Sequence, residues 1–229
     1  MKKLLMLLVV VGLAASSFAA DDDDNKAAGR VKSASTILEE IQNAPDTGIP
    51  DEVMGSAECV AVVPSMLKAG FVFGAQYGRG VASCRTAKGW SDPAFITIVG
   101  GSFGFQIGGE ATDFVLLIMN ERGASGILTS KVKLGADASV AAGPVGRDLS
   151  AETDATLRAD ILSYSRARGA FAGIALEGST IRPDGGANEQ IYGQRIPAKQ
   201  IVRSGRVAIP AAAQRLVSTL DARTPNHKS

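Results

Sequence analysis

The chain has one histidine, two cysteines and one tryptophan among 229 residues, and each scarcity narrows what it can do. His227 stands in a polar tail, so a serine nucleophile would have no well-placed imidazole to take its proton. One His and two distant Cys do not make the common zinc sites, which need four ligands at short spacings. The acids around Asp184-Gly185-Gly186 lack the alternation of a calcium loop and read as a plain turn. No metal site, catalytic residue or cofactor is expected. Setting Lys2 and Lys3 aside from the 24 basic residues leaves 22 against 23 acids. Without the run Asp21 to Asp24 as well, the balance is 22 against 19. So slight an excess does not fit a nucleic-acid binder, which shows a strongly basic face. It suits a local patch on anionic lipid.

Long apolar runs are also few. Lys2 and Lys3 precede Leu4 to Ala15, and Ser17 and Ala19 follow in a small-x-small pattern. The run is shorter than the ~20 residues a membrane helix needs and reads as a signal peptide over residues 1–19. The junction has no cysteine to acylate, so a periplasmic or secreted protein is expected. Cys59 and Cys84 read either as a disulfide or as two inert buried thiols.

Residues 20–32 read as an acidic, disordered leader running into the first helix. Val31, Ala34, Leu38 and Ile41 share one helical face over 30–43, which packs on its own domain or docks on lipid. Pro50-Asp51-Glu52 opens a second short helix. From Cys59 the texture changes to Val, Ile, Phe and Gly, and strands are expected at 59–63, 70–77, 79–86, 94–99, 102–109 and 113–119. Glu121 to Lys131 reads as helical, a Gly- and Ala-rich pair follows near 135–143 and 159–166, and a last strand runs from Gly169 to Thr180. Segments beginning at Gly70, Gly101, Gly135 and Gly169 share a texture that hints at a degenerate repeat. Glycine inside strands marks bulges and close approaches, so the expectation is an α+β, β-rich fold. Its centre is a curved or barrel-like antiparallel Gly-rich sheet, with short helices at either end. Asn188 reads as a helix cap, Pro197 as the first turn of another helix, and 210–221 as a third with Ala213, Leu216 and Leu220 inward.

Gly100-Gly101-Ser102-Phe103-Gly104 matches the nucleophile elbow, but that device needs a strand-to-helix turn, and strand is expected after Gly104. Gly74, Gly78 and Gly80 do not form a phosphate loop and read as a tight hairpin.

The run Gly70 to Val81, then Gly89-Trp90-Ser91-Asp92-Pro93, Gly104 to Gly109 and Leu134-Gly135-Ala136-Asp137, resembles the SYLF domain. Gly143 to Arg147, Tyr164-Ser165, Leu176 to Ser179, Asn188 and Tyr192-Gly193 continue the likeness in order over residues 33–205. Residues 206–229 form a C-terminal helix and polar tail outside it. The resemblance implies a non-enzymatic phospholipid-binding domain, with actin filaments as a further ligand of some members. The residues offer a matching mix of cations and amphipathic aromatics: Lys68, Tyr77, Arg79, Arg85, Lys88 and Trp90, then Arg147, with Arg166 and Arg168 as second candidates. Trp90 reads equally well as core. The expected partner is an anionic phospholipid surface, met by docking or by carrying lipid. The alternatives are an envelope structural or protein-interaction protein, or a secreted effector touching host membrane or actin.

Overall fold

The computed structural model describes residues 26–44, 48–70, 73–103, 108–145, 158–167, 170–173, 176–204 and 211–223. The segment read as a signal peptide, Arg147, Arg168 and His227 lie outside them. Helix α1 (26–42) begins four residues before the expected helix start at 30. Its stripe of Ala27, Val31, Ala34, Leu38 and Ile41 is buried, so the apolar face is spent on the domain itself. Helix α2 (Asp51–Ser56) follows, with Asp51 and Glu52 in its first turn.

Strands β1 (Cys59–Gly70), β2 (Phe73–Thr86), β3 (Gly89–Trp90), β4 (Ala94–Phe103) and β5 (Gly108–Ile118) come next. Then follow α3 (Glu121–Thr129), β6 (Val132–Lys133), β7 (Val140–Ala142), β8 (Ile161–Ala167), β9 (Ala170–Gly173) and β10 (Thr180–Pro183). Helices α4 (Gly185–Tyr192), α5 (Ala198–Ser204) and α6 (Ala211–Arg223) complete the described chain. The sheet runs β6-β10-β4-β2-β1-β5-β8-β7, with β3 added to β2 and β9 to β8. It is a curled half-barrel. All pairs are antiparallel except β7 with β8, so the sheet is mixed rather than purely antiparallel.

The two outermost strands of that path, β6 and β7, are separated by only residues 134–139, and Leu134 bridges Ala138. Seven peptide steps reach at most about 25 Å, so this short link holds the sheet's ends together and imposes the curl.

Both faces of the central strands are covered. Val60, Val62, Val81, Phe95, Val115 and Leu117 pack with α1, α2 and α6. Ala61, Val63, Ile96, Ile98, Phe114 and Leu116 pack with α3 and α5 on the opposite face. That is why Cys59–Val63 and Phe114–Ile118 are unbroken apolar runs and not alternating ones. Cys59 and Cys84 are register partners on β1 and β2 and form a disulfide. Closing a loop of this length stabilises by about 3 kcal/mol.

Three strand expectations are corrected. The first strand does not stop at Val63 but passes Pro64 in a bulge, where Ser65 takes φ 48° and the registers with β2 and β5 both shift. A bulge is the place where a central strand tolerates a proline. Asp113 pins it: its Oδ1 accepts from the Ser65 amide at 2.8 Å, and its Oδ2 accepts from Arg166 Nε at 2.9 Å. Secondly, no hairpin turn falls at Gly78 or Gly80, which lie inside β2, whereas Gly74 stands opposite Gly70 at the closing end of the β1–β2 pair. The bulge brings β1 too close for side chains there, since a Cβ at Gly80 would stand 2.3 Å from the Val62 carbonyl and one at Gly78 2.6 Å from Val63. Thirdly, the strand read at 169–180 is two strands, β9 and β10, and the one read at 102–109 is split between β4 and β5. The expected caps change too: Asp184 caps α4 by accepting from Ala187 N, while Asn188 is buried within the helix. There its Oδ1 accepts from Phe95 N at 2.8 Å, satisfying a β4 amide beyond the reach of β10.

Two outcomes follow from the packing. Gly80→Ala lowers stability by about 2 kcal/mol, read as a lower urea midpoint with unchanged slope, because the obstacle is backbone. Asp92 is buried with its Oδ1 unpartnered, and burial holds its carboxyl above the usual range. The native state therefore binds this proton more tightly than the unfolded chain, and its contribution to stability is lost as pH rises from about 4 through the raised value. Asp92→Asn raises the melting temperature at pH 7, and the two proteins converge below about pH 4.

Candidate functional site

The β1–β2 ribbon separates the residues that the sequence groups together. Along β2, Tyr77, Arg79 and Val81 point to the face covered by α1, but the helical cover ends before Tyr77. Tyr77 is 45% exposed, and its register partner Leu67 is 57% exposed. The bulge at Ser65 produces this pair. It shifts the alternation of β1 by one, so Met66 turns into the opposite core and Leu67 turns out. Lys68 lies on the other face, its ammonium 5.0 Å from the centre of the Phe114 ring.

Arg79 is an ion-pair partner of Asp184, at 2.9 Å through Nε and 2.8 Å through Nη2, and remains over a third exposed. Above it lies Arg30 of α1, a residue with no place among the expected contacts. Its guanidinium stands 5.5 Å from the centre of the Phe95 ring, and its Nη1 is buried with no hydrogen-bond partner. Burial, then the positive charge of Arg79, pull its pKa below the ordinary arginine value. Arg30 and Arg79 form two walls of an open cleft of about 410 Å³, whose third wall is α4 with Gly186, Glu189 and Gln190.

Arg85, Lys88 and Trp90 sit at the other end of β2, about 26 Å from Tyr77 at ~3.3 Å per residue. Trp90 is 6% exposed and belongs to the core, with its amide donating to Asp221 at 2.9 Å. Arg85 covers that ring at 4.6 Å and donates to the carbonyls of Ala57 at 2.8 Å and Gly55 at 3.1 Å. It ties α2 to the sheet. Lys88 is exposed on the turn before β3. A second cleft, of about 330 Å³, opens beside the disulfide and Arg85. Arg166 is engaged by Asp113 and by Glu40 of α1.

The elbow geometry is absent, since Ser102 lies inside β4 opposite Gly74 rather than on a strand-to-helix turn. Among the described residues no three His, Cys, Asp or Glu cluster as metal ligands, and no helix is long and apolar enough to cross a membrane.

The family model described as Ysc84, Las17-binding protein actin regulator, matches residues 99–223, more than half of the chain. The chain belongs to the Ysc84 family, which the SYLF resemblance anticipates. It is 37% identical over 185 residues to Protein YSC84 of Saccharomyces cerevisiae, covering 79% of this chain and 39% of that one. To SH3 domain-containing YSC84-like protein 1 of Xenopus laevis it is 35% identical over 205 residues, covering 89% of this chain and 60% of the other. LAS seventeen-binding protein 3 of S. cerevisiae is 36% identical over 187 residues, with 80% and 40% covered. The chain thus spans about two to three fifths of the length of these relatives. No solved structure matches it. The segment shared with the Ysc84 family model holds α4, the third wall of the Arg30–Arg79 cleft, whereas both arginines and the Leu67–Tyr77 pair precede it.

Leu67 and Arg30 escape a reading of sequence. Leu67 sits where simple alternation from Val63 places a residue on the wrong face, and Arg30 carries meaning only once α1 is laid over β2.

The geometry assigns Arg85 a packing role. Arg85→Ala costs about 2 kcal/mol by denaturant unfolding, through the lost ring contact and two carbonyls left without their donor. Arg85→Lys restores less than half of it, because a single ammonium does not span both carbonyls.

Proposed function

We propose that this Ysc84-family chain is an exported, non-enzymatic module that docks on anionic phospholipid membranes through the outer end of its β1–β2 ribbon. The observation that carries the reading is the exposed register pair Leu67–Tyr77, an aliphatic and an amphipathic aromatic side chain, with Arg79 next along the same face of β2 and Lys68 at the edge of the opposite face. Apolar residues that project from a rigid sheet end enter the acyl boundary, while neighbouring cations remain at the phosphates. Surface docking is favoured over lipid carriage because side chains fill both faces of the sheet, and the two open clefts are walled largely by polar and charged groups.

Export to the periplasm or beyond is supported by the Lys2-Lys3 start and the Leu4 to Ala15 run. A disulfide between Cys59 and Cys84 agrees with it, since such bonds persist in oxidising compartments. A second reading, a protein-interaction module, is favoured by the family description as a Las17-binding actin regulator. Sedimentation with actin filaments addresses it: co-pelleting that survives Leu67→Ser/Tyr77→Ser would move the function to a protein partner.

Wild-type protein is expected to pellet with phosphatidylglycerol vesicles at low salt, to pellet weakly at 0.5 M salt, and not to pellet with phosphatidylcholine alone. The double variant Leu67→Ser/Tyr77→Ser loses roughly tenfold or more in partition, as two partly inserted apolar side chains require. No pelleting by the wild type on phosphatidylglycerol at low salt would remove the reading.

A further inference from the structure

The cleft between α1, β2 and α4 has the composition of an anion site. Arginine rarely leaves a buried N–H without an acceptor, because the desolvated donor costs free energy until something accepts from it. Arg30 does so: Nη1 has no partner, and Asp184, the carboxylate whose charge acts on Arg30, is already taken. Asp184 Oδ2 accepts from Arg79 and, at 3.4 Å, from the Thr97 hydroxyl, while Oδ1 caps α4 through Ala187 N at 3.2 Å. Glu189, the other carboxylate at the cleft, is bound by Arg195 at 3.2 Å. Arg30, Arg79 and Arg195 against Asp184 and Glu189 leave one positive charge uncompensated.

The third wall adds donors. The first amides of α4 have no acceptor within the helix, and they belong to Gly185 and Gly186. A Cβ at Gly185 would meet nothing within 4 Å, and one at Gly186 only Asp184 Oδ1 at 3.9 Å, so no side chain shields that turn. A group of several oxygens and negative charge fits between two guanidinium groups and a bare helix start.

We infer that the Arg30–Arg79–Gly186 cleft binds a phosphate group between its two guanidinium groups and the start of α4. The inference deepens the membrane-docking reading by naming the headgroup contact beside Leu67 and Tyr77. A phosphate in this cleft is held on α1, β2 and α4 at once, so it tightens the packing of both helices on the sheet. The phosphate can be a free monoester or a lipid headgroup, because both present the same oxygens.

The test uses soluble ligands, so that it does not depend on vesicle binding. Melting temperature and calorimetric titration are measured with inorganic phosphate, glycerol 3-phosphate and sub-micellar dihexanoyl phosphatidic acid, against sodium chloride at equal ionic strength. Wild type is expected to melt higher with at least one of these, and Arg30→Met to weaken that ligand at least tenfold while folding normally by circular dichroism. Gly186→Glu, which puts a carboxylate at the cleft without altering Arg30, gives the same loss and keeps the test decisive if the Arg30 variant does not fold. Binding of the lipid alone assigns the site to headgroups, and binding of the small phosphates as well assigns it to phosphate in general; both support the site. No binding of any of the three by wild type, or equal binding by wild type and both variants, overturns it. Leu67→Ser/Tyr77→Ser retains soluble-phosphate binding even when it leaves vesicles, which separates failure of the cleft from failure of the docking surface.

Discussion

A sheet whose central strands are apolar on both faces must be covered twice, and this double burial governs the rest of the molecule. Strands β1, β4 and β5 carry runs such as Ala61–Val63 and Phe114–Ile118 with no polar face to give to water. One side is closed by α1, α2 and α6, drawn from the two ends of the described chain. The other is closed by α3 and α5 within the curl. Each fully buried Val, Leu, Ile or Phe contributes about 1.5–3 kcal/mol, so uncovering either face would cost more than a domain's net stability. The apolar stripe of α1 is therefore part of the core, while Leu67 and Tyr77 are among the apolar side chains that the described residues leave exposed.

The bulge at Pro64-Ser65 is where structure and site meet. It lets a proline stand in a central strand, demands glycine at 78 and 80 on the neighbouring strand, and reverses which residues of β1 face outward. Asp113 holds it with one oxygen and Arg166 with the other, and Arg166 also reaches Glu40 of α1. One carboxylate thus links the irregularity that exposes Leu67 to the helix that carries Arg30.

Much of the fold was legible. The 3.6 period of Val31, Ala34, Leu38 and Ile41 located α1, Pro50 located the start of α2, and interior glycines pointed to curvature. What the chain did not disclose was long-range. Pro64 looks like a strand end because its tolerance depends on a bulge matched by Gly78 and Gly80 across the ribbon. Asn188 looks like a cap because caps are local, whereas its role is to satisfy Phe95 far along the chain. The candidate site was half visible: Tyr77 and Arg79 were in view, but a stretch of β2 rising about 3.3 Å per residue carries Arg85 and Trp90 to its far end, where they pack. Arg30 needed the three-dimensional overlay of α1 on β2.

The short link from β6 to β7 works as a hoop around the curled sheet. At that level of the sheet, moving its two ends apart must stretch the same six residues. Separating β6 from β7 therefore strains this link, which resists unrolling of the sheet from its two ends.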